Sequence, residues 1–274
     1  MLIRFSRYLS IFWYNISMSE EQDQKTKEKK FIDIHETTSD KKGLWWAIEV
    51  FLRRHKTGAY LFFYIWVVFV CMLCVALSLA PIYALVLYAY EATKDAIFIF
   101  HVIALSYATA MGLVFGTFAL LSSTAFFNLL NPFPIKPRKN NWYSIENIPW
   151  FYHNALVYLV RYSILDFITP SPIQQWWLKA MGMKIGKGVV INTSNISDPC
   201  LITLEDYSTI GGSVTMMAHY GQKGILVIEE VIVKKGAMVG LKASIFGDVV
   251  IGEYASVLPH TAVLPKSRIE KNEA

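Results

Sequence analysis

The chain passes through three regimes of apolar and polar spacing. Residues 19–43 (SEEQDQKTKEKKFIDIHETTSDKKG) are polar and charged, with too few apolar side chains to offset the entropy of ordering them, and predict a flexible tail. From Thr57 to Tyr90, and again from Ala96 to Ile135, there is no Asp, Glu, Lys or Arg. Because roughly 20 apolar residues cross a bilayer, each run predicts one spanning helix with an overhang, and the short link Glu91 to Asp95 makes the pair a hairpin. The end of the chain keeps a different period. Val227, Val233, Val239, Ile245, Ile251, Val257, Val263 and Ile269 recur every sixth residue, and four places beyond the first seven stand Val231, Ala237, Ala243, Val249, Ala255, Thr261 and Ser267. Neither a 3.6-residue helix nor an alternating strand holds one phase that long, so the pattern predicts a solenoid whose stacked coils bury one aliphatic column.

Earlier hexads, Ile185 and Ile191, then Leu204, Ile210 and Met216, keep the period but slip twice: the step from Ile191 to Leu204 is one longer than two hexads, and that from Met216 to Val227 one shorter. Each slip predicts a loop leaving the coil. Glycine follows the aliphatic at Ile185, Ile210, Val239 and Ile251, where a corner is expected to need unusual backbone angles. Residues 142–168 mix aromatic, apolar and occasional charged positions and predict a helix along the lipid headgroups, with Trp176 and Trp177 in a belt at the same level. The chain thus divides into a cytoplasmic, largely disordered tail (1–56), a two-span transmembrane hairpin (57–135), an interfacial amphipathic segment (136–182) and a repeat domain (183–269), the membrane-proximal segment covering one end of the coil. Residues 1–17 are apolar and basic without a clear cleavage site, which leaves two readings: a short interfacial helix, or a start at Met18 rather than Met1.

Charge sets the orientation. Arg53, Arg54 and Lys56 precede the first span, Lys136, Arg138 and Lys139 follow the second, and the link holds only Lys94, so both ends are expected in the cytoplasm and the chain in the inner (plasma) membrane. Composition agrees: 54% of residues are hydrophobic and 17% charged, with mean hydropathy +0.36, against about 25% charged in soluble domains. The net charge of +5 points to no nucleic acid, because eleven Lys and Arg lie before residue 57 and no helix-turn-helix, RRM or zinc-finger spacing follows. Three cysteines make no disulfide framework, and Cys71 and Cys74 read as helix packing. In the second span Ala104, Ala108, Gly112 and Gly116 form a small-residue stripe, for association between copies or for packing inside the hairpin. Pro81 is expected to kink the first span, and His101 to be interfacial or hydrogen-bonded.

The motifs L-E-D-Y-S-T-I-G (204–211), V-G-x4-I (239–245) and I-G-x-x-A-S-V-L-P (251–259) resemble those of the hexapeptide-repeat transferases. With the hairpin, the segment W-x-L-x-x-M-G-M-K-I-G (176–186) and a His just after the L-E-D-Y-S-T-I-G coil, the chain is similar to the terminal domains of poly-lysine-type nonribosomal peptide synthetases, which carry three such units in tandem where this chain carries one. The resemblance implies a fold class of membrane α-helical hairpin plus all-β left-handed parallel β-helix, with three short strands per coil. It implies acyl transfer from acyl-CoA or a phosphopantetheine thioester on a carrier protein, as co-substrate, with no permanently bound cofactor. It also implies a homotrimer, whose six spans would match three tandem units, with the pantetheine arm in a groove between prisms; Val239, Ala243 and the neighbourhood of Lys242 are expected to line it.

Acyl transfer to a hydroxyl or amine needs a base near neutral pKa, and histidine suits it. His219 lies in M-M-A-H-Y-G-Q-K-G at the second slip, free of the aliphatic column, and its position corresponds to the family's catalytic general base. Asp198, Glu205 and Asp206 can orient the imidazole or bind an acceptor, or simply sit solvated on a solenoid face. Gly211, Gly212 and Gly221 are candidate oxyanion donors. His260, in L-P-H-T, is read as a structural residue at an off-column corner, and two repeat-domain histidines fall short of the three that a metal-dependent carbonic anhydrase on this fold would use, so no metal site is expected. Membrane lipids and a small-molecule or lipid-linked acceptor are the expected partners. The rival reading is a non-catalytic membrane scaffold, in which the loop from His219 to Gly224 tolerates substitution.

Overall fold

The computed structural model describes residues 37–131 and 134–271. The expectations for residues 1–36, including the choice between Met1 and Met18, lie outside the described residues. Immediately after them the chain is ordered where a tail was expected: α1 (Leu44–Arg54) carries Glu49, which is buried and pairs one turn on with Arg53 at 2.6 Å. The rings of Trp45 and Trp46 lie on the same helix, half exposed.

Two long helices follow, α2 (Lys56–Thr93, 38 residues) and α3 (Phe98–Leu129, 32 residues), each long and apolar enough to cross a membrane. α2 runs through Pro81 without a break. The small-residue stripe packs inside the hairpin: a Cβ on Gly112 would stand 2.7 Å from the Ile82 Cα, and one on Gly116 2.5 Å from the Ser78 carbonyl oxygen. At the tight link, Thr93 Oγ1 donates to the Ala89 carbonyl, so His101 Nδ1 is the donor in its 2.8 Å bond to that hydroxyl. Outward faces expose Ile65, Phe69, Leu87, Ile99 and Phe115, as a lipid-facing surface would.

After β1 (Arg138–Asn141), α4 (Ile148–Val160) and α5 (Pro172–Ala180) comes the repeat domain. Its coils each place three short strands on three parallel sheets. The first coil is β2 (Lys184–Ile185), β3 (Val190–Ile191) and β4 (Ile196–Ser197), and the second β5 (Ile202–Leu204), β6 (Thr209–Ile210) and β7 (Thr215–Met217). The hairpin β8 (His219–Gln222) and β9 (Ile225–Ile228) then leaves the coil. The third coil is β10 (Val231–Val233), β11 (Met238–Val239) and β12 (Ser244–Ile245), the fourth β13 (Val249–Ile251), β14 (Ser256–Val257) and β15 (Ala262–Val263), and β16 (Arg268–Ile269) opens a fifth. Ile232 pairs with Val250 and Val250 with Arg268, so one regular coil is three hexads of chain.

The expected column is present. Val233, Val239, Ile245 and Ile251 are wholly buried and Val257 and Val263 nearly so, with Val231, Ala237, Ala243, Val249 and Ala255 completing the interior. Each buried Val or Ile contributes about 1.5–3 kcal/mol relative to exposure, shared between neighbouring coils. Val239 and Ala243 therefore face inward and line no groove, contrary to the expectation for them. Left-handed backbone recurs with the same period, at Gly236, Lys242, Asp248, Tyr254, His260 and Lys266. His260 is one of these corners, exposed, its N–H donating to the Leu241 carbonyl at 2.8 Å. The glycines that follow the aliphatics have another cause than the one expected: none of them has positive φ, and a Cβ on Gly240 would meet the Pro259 nitrogen of the next coil at 2.6 Å.

Much of the segment expected along the headgroups is instead part of the core, while its end exposes Tyr162 and Phe167. In α4, Trp150, His153, Asn154, Leu156, Val157 and Val160 are buried, and Trp177 of α5, expected in a headgroup belt, is wholly buried with its Nε1 donating to Thr124 Oγ1 of α3 at 3.1 Å. The two helices close the first coil, to which Gln174 Nε2 bonds through the Thr193 carbonyl (2.7 Å) and Arg161 through Asn195 Oδ1 (2.6 Å). Toward the hairpin, Tyr152 donates to the Phe127 carbonyl (2.9 Å) and His153 Nδ1 meets Asn128 Oδ1 (2.7 Å). Polar residues that suggested a wet surface find at least one partner inside.

Candidate active site

Both slips in the hexad pattern fall on one corner of the prism. Ile196 is level with Ile245, and five residues (197–201) separate it from Ile202 where three (246–248) separate Ile245 from Val249. With the step from Ile191 to Ile196 one short of a hexad, the net slip is one, and the longer corner seats Asp198 in left-handed backbone (φ 59°, ψ 48°) ahead of a short 3₁₀ turn. On the next coil the same corner swells into the β8–β9 excursion. Three hexads would bring Thr215 to position 233, yet it pairs with Ser244, so the insertion is one short of two further hexads. Its hairpin turns at Lys223 and Gly224, both at positive φ, the backbone that two-residue hairpin turns favour, and β1 completes a three-stranded antiparallel sheet. Val227 belongs to that sheet, so after the excursion the column of coils resumes at Val231 and Val233. A count modulo six cannot separate such an insertion from the deletion of a single residue.

The excursion starts with Ala218 and His219, and Asp198 lies directly beneath. His219 Nδ1 is 2.5 Å from Asp198 Oδ2, and the Ala218 N–H donates to the same oxygen at 3.0 Å. Asp198 Oδ1 accepts from Trp150 Nε1 and from Asn154 Nδ2, each at 2.7 Å. A wholly buried carboxylate thus receives four hydrogen bonds, two of them from α4. Burial pushes its pKa upward, but the hydrogen bond and charge of His219, followed by Asn154 and the charge of His153, outweigh that and hold it below the usual aspartate value. The anion is the stable form at neutral pH.

An ionised Asp198 fixes the tautomer of His219. In the neutral imidazole Nδ1 must carry the proton it donates, which leaves the lone pair on Nε2, and among the described residues no hydrogen-bond partner reaches Nε2. The His219 side chain is 15% exposed. The Trp150 ring stands edge-on to the imidazole, centroids 4.8 Å apart, and Trp142 and Phe151 continue that aromatic wall. The floor is tight: a Cβ on Gly247 would lie 3.0 Å from the Ala218 carbonyl carbon and 3.2 Å from the His219 nitrogen.

Of the residues singled out in the sequence, the structure brings Asp198 to His219. Glu205 and Asp206 lie on a different corner, accepting backbone N–H bonds from Lys235 (3.0 Å) and Lys187 (2.7 Å). The Gly211 N–H is committed to the Val239 carbonyl at 2.8 Å and cannot serve as an oxyanion donor. Trp150 and Asn154 went unsuspected, since their place in an aromatic, apolar segment gives no sign of a partner so far along the chain.

No family profile matches the chain. Over 107 residues, 37% of this chain, it is 30% identical to the delta-poly-L-ornithine synthetase of Acinetobacter baumannii, of which the match spans only 8%. Similar solved structures include serine acetyltransferase of Neisseria gonorrhoeae (18% identical, covering 67% of this chain and 72% of that one, TM-score 0.28). Another is AntD, an N-acyltransferase from Bacillus cereus solved with dTDP and 3-hydroxybutyryl-CoA (21% identical, 34% of this chain and 79% of that one, TM-score 0.23). The repeat period and the stacked parallel coils identify the C-terminal domain as a hexapeptide-repeat β-helix.

Proposed function

We propose that this chain is a membrane-anchored acyltransferase that moves an acyl or aminoacyl group from a pantetheine thioester, acyl-CoA or a carrier protein, to a hydroxyl or amine. The observation that carries the reading is the buried, four-fold hydrogen-bonded Asp198 holding His219 with its Nε2 lone pair uncommitted. That is the arrangement a general base needs, an oriented imidazole in one tautomer backed by a fixed anion. His219 Nε2 takes the acceptor's proton as its oxygen or nitrogen attacks the thioester carbonyl. When the tetrahedral intermediate collapses, the C–S bond breaks and the imidazolium, stabilised by Asp198, returns the proton to the departing thiolate.

On this reading the two apolar helices are the anchor, and the basic residues at both outer ends favour the β-helix on the cytoplasmic side. The similarity to part of a poly-ornithine synthetase favours an aminoacyl donor and an amine acceptor. The prism is left-handed and works as a homotrimer with the pantetheine arm in the groove between copies, as the family resemblance implies. The test is His219→Ala in the full chain reconstituted in vesicles and assayed for thiol release from aminoacyl and acyl thioesters. A loss of about 10³-fold or more is expected. Transfer at near-normal rate would leave the scaffold reading in its place.

A further inference from the structure

Where α1 meets the open end of the hairpin, a cleft of about 380 Å³ is walled by Trp45, Phe63, Trp66, Phe127, Ile148 and Tyr152, among others. A wider cleft of about 800 Å³ shares Trp45, Ile145 and Pro149 with it and carries Lys41, Lys42, Lys136 and Arg138 against a single carboxylate, Glu146. Two of the four cations are engaged: Lys41 pairs with Glu146 at 2.5 Å, and Arg138 donates to the Lys136 and Glu146 carbonyls. The side chains of Lys42 and Lys136 make no hydrogen bond or ion pair with any described residue. Asn131, which lines the apolar cleft, donates from Nδ2 to the Pro149 carbonyl at 2.9 Å, while its buried Oδ1 has no donor among the described residues.

We propose that the joined clefts bind one anionic phospholipid of the surrounding bilayer, an acyl chain in the apolar cleft and the phosphate on Lys42 and Lys136. The inference rests on the hairpin spanning the membrane. An acyl chain needs a dry wall and a phosphate needs cations, and here the two adjoin. A free anion would use only the second cleft, an uncharged lipid only the first. The volumes lie within the roughly 300–1,000 Å³ typical of ligand sites. Trp66, 61% exposed on α2, puts the apolar cleft next to the lipid-facing surface, and Arg53, Arg54 and Lys56 place the cations at headgroup level. Contact with Ile148 and Pro149 brings the lipid to the start of the helix whose next residue, Trp150, holds Asp198.

The experiment is native mass spectrometry of the full chain released from nanodiscs of phosphatidylcholine with and without phosphatidylglycerol. One phosphatidylglycerol per chain should be retained in preference to phosphatidylcholine, and millimolar inorganic phosphate should not displace it. The double substitution K42Q/K136Q, which breaks no bond between described residues, should weaken retention by about tenfold or more. Ile148→Trp, which fills the apolar cleft, should weaken it with the cations intact. Equal retention of both lipids, displacement by phosphate, or unchanged retention in both variants overturns the proposal. Alkaline extraction separates the two failures: release of the chain from membranes sinks the hairpin reading as well, while a chain that stays embedded without preferring phosphatidylglycerol sinks this inference alone.

Discussion

Replacing Asp198 with Asn tests the core of the catalytic reading with almost no change in shape. The carboxylate faces four donors, two on each oxygen. An amide offers one acceptor oxygen, which Trp150 Nε1 and Asn154 Nδ2 claim, and turns its NH₂ toward the Ala218 N–H and His219 Nδ1. The Ala218 donor is then buried without an acceptor, and the charge-assisted bonds become neutral, for a loss of about 2–4 kcal/mol in stability. His219 must flip tautomer to accept from that NH₂, which puts its proton on Nε2 and abolishes the base; a fall of about 10³- to 10⁴-fold in transfer follows. Nitrogen-15 spectra of histidine-labelled protein, with His219→Ala for assignment, read the tautomer directly without knowledge of the substrate, and thiol release from a thioester reads the rate. The double variant D198N/H219A should be no slower than H219A alone, because the pair acts as a unit. An Asp198→Asn protein that keeps the Nδ1–H tautomer, or transfers within about threefold of the parent, refutes the reasoning.

Gly247→Ala should leave the fold intact but push the Ala218–His219 peptide by a few tenths of an ångström away from Asp198, lowering transfer by about tenfold with thermal unfolding barely changed; an unaltered rate would mean that this backbone contact does not position the base. His153 is predicted to make stability depend on pH. Burial pulls its pKa down from 6.5 to about 4, the nearby charge of Asp198 opposing only in part. The unfolded chain therefore takes up a proton first, so this contribution is complete above about pH 6.5 and is lost, up to about 3 kcal/mol, as pH falls to about 4. His153→Gln should flatten that stretch of a denaturation-versus-pH curve and keep most of the loss at still lower pH that belongs to Asp198, whose pKa is lowered chiefly by His219 and only in smaller part by His153, and whose stability vanishes as pH falls through it.

The hairpin and the aliphatic column were legible because each is a statement about period and length, which survives ignorance of tertiary contacts. Val233 through Val263 could be placed inside on spacing alone. α4 was not legible for the opposite reason. His153 and Asn154 look like a wet helix face until Asn128, 25 residues earlier, and Asp198, 44 residues later, are known to receive them. Trp177 misled in the same way: an amphipathic ring suits a headgroup belt, and equally a dry interior where Thr124 takes its N–H. The glycines after the aliphatics were right in place and wrong in cause, since a missing Cβ serves close approach between coils as readily as unusual φ.

His219 was visible at an irregularity while Asp198 stood only as one of three candidate acids, and the structure gives the physical reason the two meet. In a solenoid the interior positions are claimed by the column, with Ser208 a small polar exception, and the strand backbones by the coils above and below, so a charged group with a full set of partners is most easily seated where the repeat is broken. Breaking it at a corner leaves the three parallel ladders in register on either side, as the pairing of β7 with β12 across the whole excursion shows. Two breaks at unrelated corners would be mere insertions. Two on the same corner of consecutive coils stack an extended loop on an anion, and α4, which closes the end of the prism there, supplies Trp150 and Asn154 to complete the anion's shell. The same helix is bonded to α3 through His153 and Tyr152. Any displacement of the helical hairpin relative to the prism must therefore act on the hydrogen bonds that hold Asp198 and His219, so on the proposed function a single helix would couple the anchor to the chemistry.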